Sequence, residues 1–158
     1  MAIKNEALKA AIIRIFNVYG PGEEYCEYRS VVCLFIYKLL KNLPVTIYAN
    51  AHRSFLFIDD WVNAVSNFTL VHKNIVSGTA INLGSSEYIT IEKLFEAISK
   101  HIPETRSEIL FLYDDEKANI KNKLPNTDRA KKLLGFSCRT SLEEGIKKTV
   151  DWMRAKYE

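Results

Sequence analysis

An asparagine at the end of an apolar run is the first residue whose type and place suit ligand binding. The run from Ala10 to Asn17 is continuous and largely β-branched, as in a strand buried on both faces of a parallel sheet. The amide of Asn17 can donate to a phosphate or sugar oxygen and accept from a hydroxyl. In open α/β sheets such strand ends face the ligand. The alternative is an asparagine that only shapes the Gly-Pro-Gly turn at 20–22.

Two further residues have the chemistry to hold a phosphate. The guanidinium of Arg53 can grip a diphosphate in two places and keeps its charge. Alternatively, Arg53 is a surface residue that pairs with Asp59 or Asp60. Ser30 is a good N-cap for a helix through about Lys41. The free N–H groups at such a helix start suit a phosphate, although an ordinary N-cap explains Ser30 equally well.

The elements that would position these residues alternate between strand-like and helix-like segments, which predicts an α/β fold. Strands are expected at 10–17, 45–48, 55–58, 79–83 and 109–113. Helices are expected to begin at Ser30, Asp59, Thr90, Asp128 and Ser141, and residues 3–9 are expected to be the tail of an earlier helix. Gly135 should end the fourth of these helices, and a Ser-Leu-Glu-Glu capping box should open the fifth.

Length and composition limit the classes of function. The 158 residues suffice for one globular domain with a core, and the net charge is +3, from 22 basic and 19 acidic residues. No basic block indicates nucleic-acid binding, and no apolar run reaches the roughly 18 residues of a membrane span. Three cysteines without metal-site spacing predict a reduced, cytoplasmic protein without a metal site. The widely separated His52, His72 and His101 are expected to be structural rather than catalytic.

Four stretches in a fixed order carry a resemblance to a known family. They are RIFNVYGP (14–21), LPVTIYANAHRSFLFIDDWVNAV (43–65), TAINLGSSEYITIEKL (79–94) and LPNTDRAKKLLGFSCRTSLEEGIKKTVDW (124–152). Together they resemble the C-terminal half of the extended short-chain dehydrogenase/reductases, the NAD-dependent nucleotide-sugar epimerases and dehydratases. That family reads R-x-x-N-x-Y-G-P, P-x-x-I-Y-G, R-x-F-x-Y-V-D-D, N-I-G and S-L-E-E-G. The resemblance implies a partial Rossmann-like α/β fold with short strands and about five helices.

The resemblance also implies a site for a UDP-, dTDP- or similar nucleotide sugar. It places Ile15 and Phe16 beside the nicotinamide ring of NAD. The substrate-binding residues that it implies are Asn17, Ser30, Val31, Val45, Thr46, Tyr48, Arg53 and Lys123. In this interpretation Asn17, Arg53 and the helix start hold the diphosphate, the backbone of 45–48 reads the base, and Tyr48 supplies a flat apolar wall. Lys123 stands where the family has an arginine, so it keeps the positive charge but cannot form the two parallel hydrogen bonds of a guanidinium. The family aspartate at Asp60 is expected to cap a helix.

The sequence departs from the family pattern at one turn. Ala49 and Ala51 replace both glycines of I-Y-G-x-G, and this turn must differ because alanine resists positive φ.

The larger departure concerns the N-terminal half of the family. The GxxGxxG cofactor motif and the catalytic Y-x-x-x-K pair belong to that half, and the resemblance begins just after the lysine. We therefore expect a single substrate-binding domain over 1–158, with 1–20 as the tail of the Rossmann half. The chain should hold no catalytic residue and bind no NAD alone; Tyr19 and Lys38 do not replace the pair.

Two functions stay open. The chain is either the nucleotide-sugar-binding portion of such an enzyme, inactive alone, or a non-catalytic degenerate module for ligand sensing or protein association. With half of a central sheet missing, the strand at Ile12 and Ile13 should expose apolar surface and favour partnership with that half or self-association. The base, the sugar and the reaction are not fixed by fold-level analogy.

Overall fold

Short strands and helices alternate along the residues that the computed structural model describes, which are 10–71, 77–113 and 122–158. The helices within these ranges are α1 (Val31–Leu40), α2 (Ile58–Val71), α3 (Ile91–Ser99), α4 (Asp128–Leu134) and α5 (Leu142–Tyr157). The strands are β1 (Ile12–Ile15), β2 (Val18–Tyr19), β3 (Val45–Tyr48), β4 (His52–Arg53), β5 (Leu56–Phe57), β6 (Ala80–Leu83), β7 (Ile89–Thr90), β8 (Ile109–Leu112) and β9 (Asn122–Lys123). The predicted helix tail at 3–9 and His72 lie outside the described residues.

The strands form four small sheets. The pairs β1–β6, β2–β5 and β3–β8 are all parallel. In the fourth sheet β4 lies between β7, which is antiparallel to it, and β9, which is parallel. Parallel pairs joined through helices confirm the predicted α/β class.

Local capping chemistry sets the helix boundaries as predicted. The side-chain oxygens of Ser30, Thr90 and Ser141 each accept a hydrogen bond, at 3.2 Å, from the backbone N–H three residues on. Each of these bonds satisfies an N–H that has no partner within the helix. Gly135 ends α4 with φ 61°, the left-handed conformation in which glycine is least strained.

The first strand does not have the burial that its sequence predicts. Ile12 is 40% exposed and Ile15 is 52% exposed, and only Ile13 among the residues of β1 is half-buried. In the described part of the chain β1 pairs with β6 alone. The expectation of a strand buried on both faces is therefore wrong for this chain, whereas the expected apolar exposure is confirmed.

Two apolar cores hold the elements together. In the larger one, α1, α3 and α5 pack on one another and on β3, around fully buried residues that include Ile36, Ile98 and Ile146. The smaller core lies between α2, α4 and β6, with Ile81 and Leu83 fully buried. Burial of such aliphatic side chains supplies the main stabilising free energy.

Candidate functional site

A cavity of about 560 Å³ brings five of the predicted substrate-binding residues together. Those that line it are Asn17, Val31, Thr46, Tyr48 and Arg53. They come from four segments of the chain: the turn between β1 and β2, the start of α1, β3, and β4. The cavity is therefore made by the fold and not by one local motif.

One face of α1 forms a wall of this cavity and includes residues that sequence reasoning missed. Leu34, Phe35 and Lys38 follow Val31 at helical spacing, so the four side chains lie on one face. Ala51 and Ile91 complete the lining. The spacing from the predicted helix start was the signal that could have identified Leu34 and Lys38 beforehand.

Asn17 has the turn-shaping role that the sequence left open and also lines the cavity, and its contact with a ligand stays a prediction. Its φ is 42°, a left-handed conformation that asparagine tolerates better than most residues. The nitrogen of its side-chain amide donates to the backbone carbonyl of Ser54 at 2.8 Å. The backbone carbonyl of Asn17 accepts from the N–H of Leu56 at 3.2 Å. Asn17 therefore shapes the turn and also presents its amide at the cavity wall.

The N-terminus of α1 already holds an anion from the chain itself. The carboxylate of Glu23 accepts from the backbone N–H of Ser30 at 2.8 Å and from its hydroxyl at 2.6 Å. A ligand phosphate at this helix end therefore meets a resident negative charge. Val31 lines the cavity and Ser30 does not, so the structure separates these two predicted residues.

The residues of β3 divide by face, as alternation along a strand requires. Thr46 and Tyr48 line the cavity, and Tyr48 is 53% exposed. Val45 is 1% exposed and turns into the larger core. The side chain of Val45 therefore does not line the cavity, and base reading by the main chain of this strand stays a prediction.

Arg53 and Lys123 occupy neighbouring positions of one sheet. They are register partners of the parallel strands β4 and β9, so their side chains leave the sheet on the same face, about 5 Å apart at the backbone. Arg53 lines the cavity, and one of its guanidinium nitrogens donates to the carbonyl of His52 at 2.7 Å. Lys123 is exposed and lies beside the cavity lining rather than within it.

The buried carboxylate of Asp60 has a different role from the predicted helix cap. Asp60 lies in the first turn of α2, where negative charge is favourable. Its oxygen accepts from the backbone N–H groups of Arg139 and Thr140, at 3.2 and 3.0 Å. Asp60 thus fastens the loop before α5 to the start of α2.

In the turn that lacks both family glycines, the residue between the two alanines adopts the positive φ. Asn50 takes φ 65°, while Ala49 and Ala51 are buried and have no positive φ. The N–H of Asn50 donates to the carboxylate of Glu92 at 3.0 Å. The prediction that this turn must avoid positive φ at alanine is confirmed.

The two predicted cofactor-binding residues lie outside the cavity. Ile15 is exposed on β1, and the N–H of Phe16 donates to the carbonyl of Leu83 at 3.1 Å. Phe16 also lies against Gly84, where an added Cβ would come within 3.0 Å of the Phe16 Cβ. Their contact with a nicotinamide ring stays a prediction.

The Y-x-x-x-K spacing, which the resemblance assigns to the N-terminal half of the family, also occurs within this chain. Tyr37 and Lys41 have that spacing on α1, but Tyr37 stacks on Tyr25 with ring centroids 3.6 Å apart. The ammonium of Lys41 donates to the carbonyl of Tyr157. Both residues therefore hold α5 against α1 and do not line the cavity. A second such spacing, at 113 and 117, extends outside the described residues.

Tyr19 is a structural tyrosine as well. It is 3% exposed, and its ring packs edge-on against Phe55 and Phe57. Burial raises the pKa of its hydroxyl far above the usual range, and nearby carboxylates raise this pKa further. A phenol held neutral in this way is unsuited to proton exchange with a ligand.

Two kinds of site are not found in the part of the chain that the structure describes. No group of three or more histidine, cysteine, aspartate or glutamate side chains there could hold a metal ion. Within the same ranges, the helices are too short or too polar to cross a membrane.

These elements and this cavity define a Rossmann-like α/β protein, and comparison with known sequences gives the family. The sequence model of the NAD dependent epimerase/dehydratase family matches residues 2–84. The chain therefore belongs to that family.

The relatives of this chain are nucleotide-sugar enzymes. It is 31% identical to UDP-glucuronic acid decarboxylase 1 of Xenopus tropicalis, over 99% of this chain and 36% of that protein. It is 27% identical to UDP-N-acetyl-alpha-D-glucosaminuronate decarboxylase of Bacillus cytotoxicus, over 94% of this chain and 47% of that protein. The chain thus spans between a third and a half of the length of these relatives.

Solved structures agree with these relatives. The UDP-glucose 4-epimerase of Thermotoga maritima, solved with UDP-glucose, superposes with a TM-score of 0.85 and 25% identity, over 98% of this chain and 49% of that one. The UDP-glucuronic acid 4-epimerase of Bacillus cereus, solved with UDP-glucuronic acid and NAD, gives 0.84 and 26%, over 98% and 48%. The fold described above is therefore that of about half of an epimerase subunit.

Proposed function

We propose that this chain is the nucleotide-sugar-binding portion of an NAD-dependent epimerase or dehydratase and is inactive alone. The observation that carries this proposal is the cavity in which Asn17, Val31, Tyr48 and Arg53 meet. A donor amide, a helix start, an aromatic wall and a guanidinium are the groups that a nucleoside diphosphate needs. The solved relatives with bound UDP-sugars support this assignment.

Each residue has a separate task in this proposal. Arg53 holds the diphosphate, and Lys123 adds a second cation from the neighbouring strand. Asn17 donates to a phosphate or sugar oxygen, and Tyr48 covers the base. The backbone of β3 contacts the base edge, because the side chain of Val45 turns inward. All of these tasks are binding and orientation, which catalysis requires but which do not by themselves break a bond.

NAD would supply the hydride acceptor in an enzyme of this family. The chain has no GxxGxxG sequence to cradle its pyrophosphate. Ile15 and Phe16 can offer an apolar wall to one ring but cannot hold the whole cofactor. The residues present therefore do not fit complete NAD binding, and no hydride step is assigned to them.

Calorimetry with UDP-glucose, UDP-glucuronic acid and dTDP-glucose tests the binding function. Arg53→Ala should weaken binding by about 10- to 100-fold, because a charge-assisted contact to the diphosphate is lost. Arg106→Ala is the matched control, since Arg106 is exposed and outside the cavity. If well-folded protein shows no binding at millimolar ligand, phosphate capture by this chain is excluded.

A turnover assay tests the second half of the proposal. The purified chain with NAD and any of these sugar nucleotides should form no product, because the residues that line the cavity include no Y-x-x-x-K pair and the sequence has no GxxGxxG motif. Epimerase or dehydratase activity without an added partner would refute inactivity. Addition of a polypeptide that carries a GxxGxxG half is expected to restore activity if the two parts form one site.

Association is the second candidate function, and the exposed β1 strand favours it. Ile12 and Ile15 present apolar side chains on a strand with one partner among the described residues. Such an edge favours pairing with a missing half or with a second copy. Light scattering should show self-association that Ile12→Lys reduces. A monomer at high concentration would contradict this prediction.

We also propose a reducing, cytoplasmic location. Cys26, Cys33 and Cys138 are all unpaired thiols, which supports a compartment that keeps cysteines reduced.

A further inference from the structure

Lys38 is a cation of the cavity to which the proposed function gives no task. It is half-buried and lies on the same face of α1 as Val31, seven residues further on. Seven residues of α-helix span about 10 Å along the axis. The cavity therefore has two ends on one helix: the first turn at Val31, and an ammonium at Lys38.

The position of Lys38 is fixed by its main chain. Its carbonyl accepts from the N–H of Leu43 at 2.9 Å and from the hydroxyl of Ser107 at 3.2 Å. These two bonds hold the C-terminal end of α1 in place. None of the described residues that line the cavity is acidic, so the lining itself offers no carboxylate to this ammonium.

The distance between the two ends matches the extent of a nucleoside diphosphate. A diphosphate placed at Arg53 and the helix start leaves the length of α1 up to Lys38 for the ribose and the base. Position 4 of a pyrimidine lies across the ring from the ribose bond and is therefore the part of the base furthest from the phosphates. Tyr48, which is 53% exposed, offers a ring face to the base within the same cavity.

Hydrogen-bond chemistry then distinguishes the bases. An ammonium carries three donors and no acceptor. Uracil and thymine present a carbonyl acceptor at position 4, whereas cytosine presents an amino donor there. A buried donor that faces another donor leaves both groups without a partner, which costs more than a missing contact.

We propose that Lys38 is a specificity-determining residue that selects a uracil- or thymine-type base over cytosine. This inference rests on the proposed function, because it requires the diphosphate at the Arg53 end. It assigns Lys38 to base selection and not to catalysis.

The test is calorimetry with UDP and CDP, which carry the same diphosphate and ribose. The unaltered chain should bind UDP at least about tenfold more tightly than CDP. Lys38→Met should bring the UDP/CDP ratio close to one, mainly by weakening UDP. Lys132→Met is the matched control, because Lys132 is exposed on α4 and outside the cavity, and it should leave the ratio unchanged.

Lys38→Glu gives a result that a merely structural role cannot produce. Its carboxylate accepts from the amino group of cytosine and repels a carbonyl, so the preference should reverse toward CDP. Lys38→Gln, which carries both a donor and an acceptor, should bind the two nucleotides about equally and serves if another variant does not fold. Circular dichroism establishes the folding of each variant.

The outcomes separate this inference from the proposed function. If Arg53→Ala weakens UDP binding by about 10- to 100-fold while Lys38→Gln and Lys38→Met leave the UDP/CDP ratio unchanged, base selection by Lys38 is wrong and the proposed function stands. If the unaltered chain binds neither nucleotide, both are wrong. An equal loss of UDP and CDP in Lys38→Met, at an unchanged ratio, shows general attraction to the diphosphate and also overturns base selection.

Discussion

The side-chain amide of Asn17 donates a hydrogen bond to the backbone carbonyl of Ser54 at 2.8 Å. Ser54 directly follows Arg53 and is fully buried, and its hydroxyl donates to the carbonyl of Ser85 at 2.7 Å. This hydrogen bond therefore joins the turn after β1 to the segment that carries Arg53. Asn17 acts on the cavity in two ways, through its own amide and through the placement of Arg53.

Asn17→Gly tests the side-chain amide without disturbing the left-handed backbone conformation at this position. Glycine accepts the φ of 42° without strain, so this change removes only the side-chain contacts. We expect a loss of about 1 kcal/mol in the free energy of unfolding, from the hydrogen bond to Ser54. Affinity for UDP should also fall severalfold. Urea denaturation and calorimetry measure the two effects.

Asn17→Ala is the comparison for that experiment. It removes the same amide but also forces alanine into a left-handed conformation, which costs roughly 1–2 kcal/mol more. The two variants should therefore differ in stability and resemble each other in ligand affinity. An Asn17→Gly protein that is as stable as the parent and binds UDP equally well would exclude both roles of the amide.

Gly145 explains why the final helix begins with Ser-Leu-Glu-Glu-Gly. A Cβ at this position of α5 would overlap the hydroxyl of Tyr19 and lie 2.9 Å from the ring of Phe57. Alanine gains about 1 kcal/mol in helix propensity, but overpacking a buried contact costs typically 1–3 kcal/mol. Gly145→Ala should thus lower the free energy of unfolding by up to about 2 kcal/mol, measured by urea denaturation.

A double-mutant cycle with Tyr19→Phe checks the cause. The tyrosine hydroxyl donates a long hydrogen bond, 3.4 Å, to the carbonyl of Leu142. Removing it opens space for the new methyl group, so Gly145→Ala should cost less in the Tyr19→Phe background. Equal costs in both backgrounds would show that the hydroxyl is not what requires glycine.

The features that were predicted best from the sequence are those that depend on residues close together in the chain. Ser30, Thr90, Ser141 and Gly135 begin or end helices where expected, because a cap is a contact between residues three or four apart. The family motifs also identified Asn17, Tyr48 and Arg53, which line one cavity.

The features that could not be predicted from the sequence depend on how distant parts of the chain pack together. Helical spacing places Lys38 on the same face as Val31, but this face lines a cavity because α1 packs against β3, which no short motif encodes. Glu23 reaches the start of α1 through a loop whose path the sequence does not specify. The tyrosine–lysine spacing at 37 and 41 has no catalytic meaning here, since it serves the contact between α1 and α5.

Alkaline pH should destabilise the chain through Cys33 and Tyr19. Burial, followed by the charge of Glu23, raises the pKa of the Cys33 thiol from about 9 to about 12. Burial raises the pKa of Tyr19 above its usual value as well. In both cases the folded state holds the proton more tightly, so its stability is complete below the unfolded pKa and falls as pH rises through and above that value.

The free energy of unfolding should fall by about 1.4 kcal/mol per pH unit for each titrating group. The fall should begin near about pH 9 for the thiol and about pH 10 for the phenol. Urea midpoints between about pH 8 and about pH 11 measure it. Cys33→Ala should remove the first part of the decline, and Tyr19→Phe the later part. A decline that both variants leave unchanged would assign the effect to other groups.

Glu23 should weaken the affinity of the cavity for phosphate. Its carboxylate occupies the N–H and hydroxyl of Ser30 at the helix start, next to the cavity residue Val31. Glu23→Gln keeps an oxygen acceptor for Ser30 and removes the negative charge. Affinity for UDP should rise by about fivefold, about 1 kcal/mol, as expected for one partly screened charge near a diphosphate.

Glu24→Gln is the matched control for this prediction. Glu24 has the same charge one residue later, but its carboxylate pairs with the ammonium of Lys156 and not with the helix start. Its removal should change UDP affinity little, and the gain from Glu23→Gln should shrink as salt is raised because the ions screen the repulsion. If the two variants change affinity equally at every salt concentration, the effect comes from net charge and the helix start of α1 does not bind the phosphate.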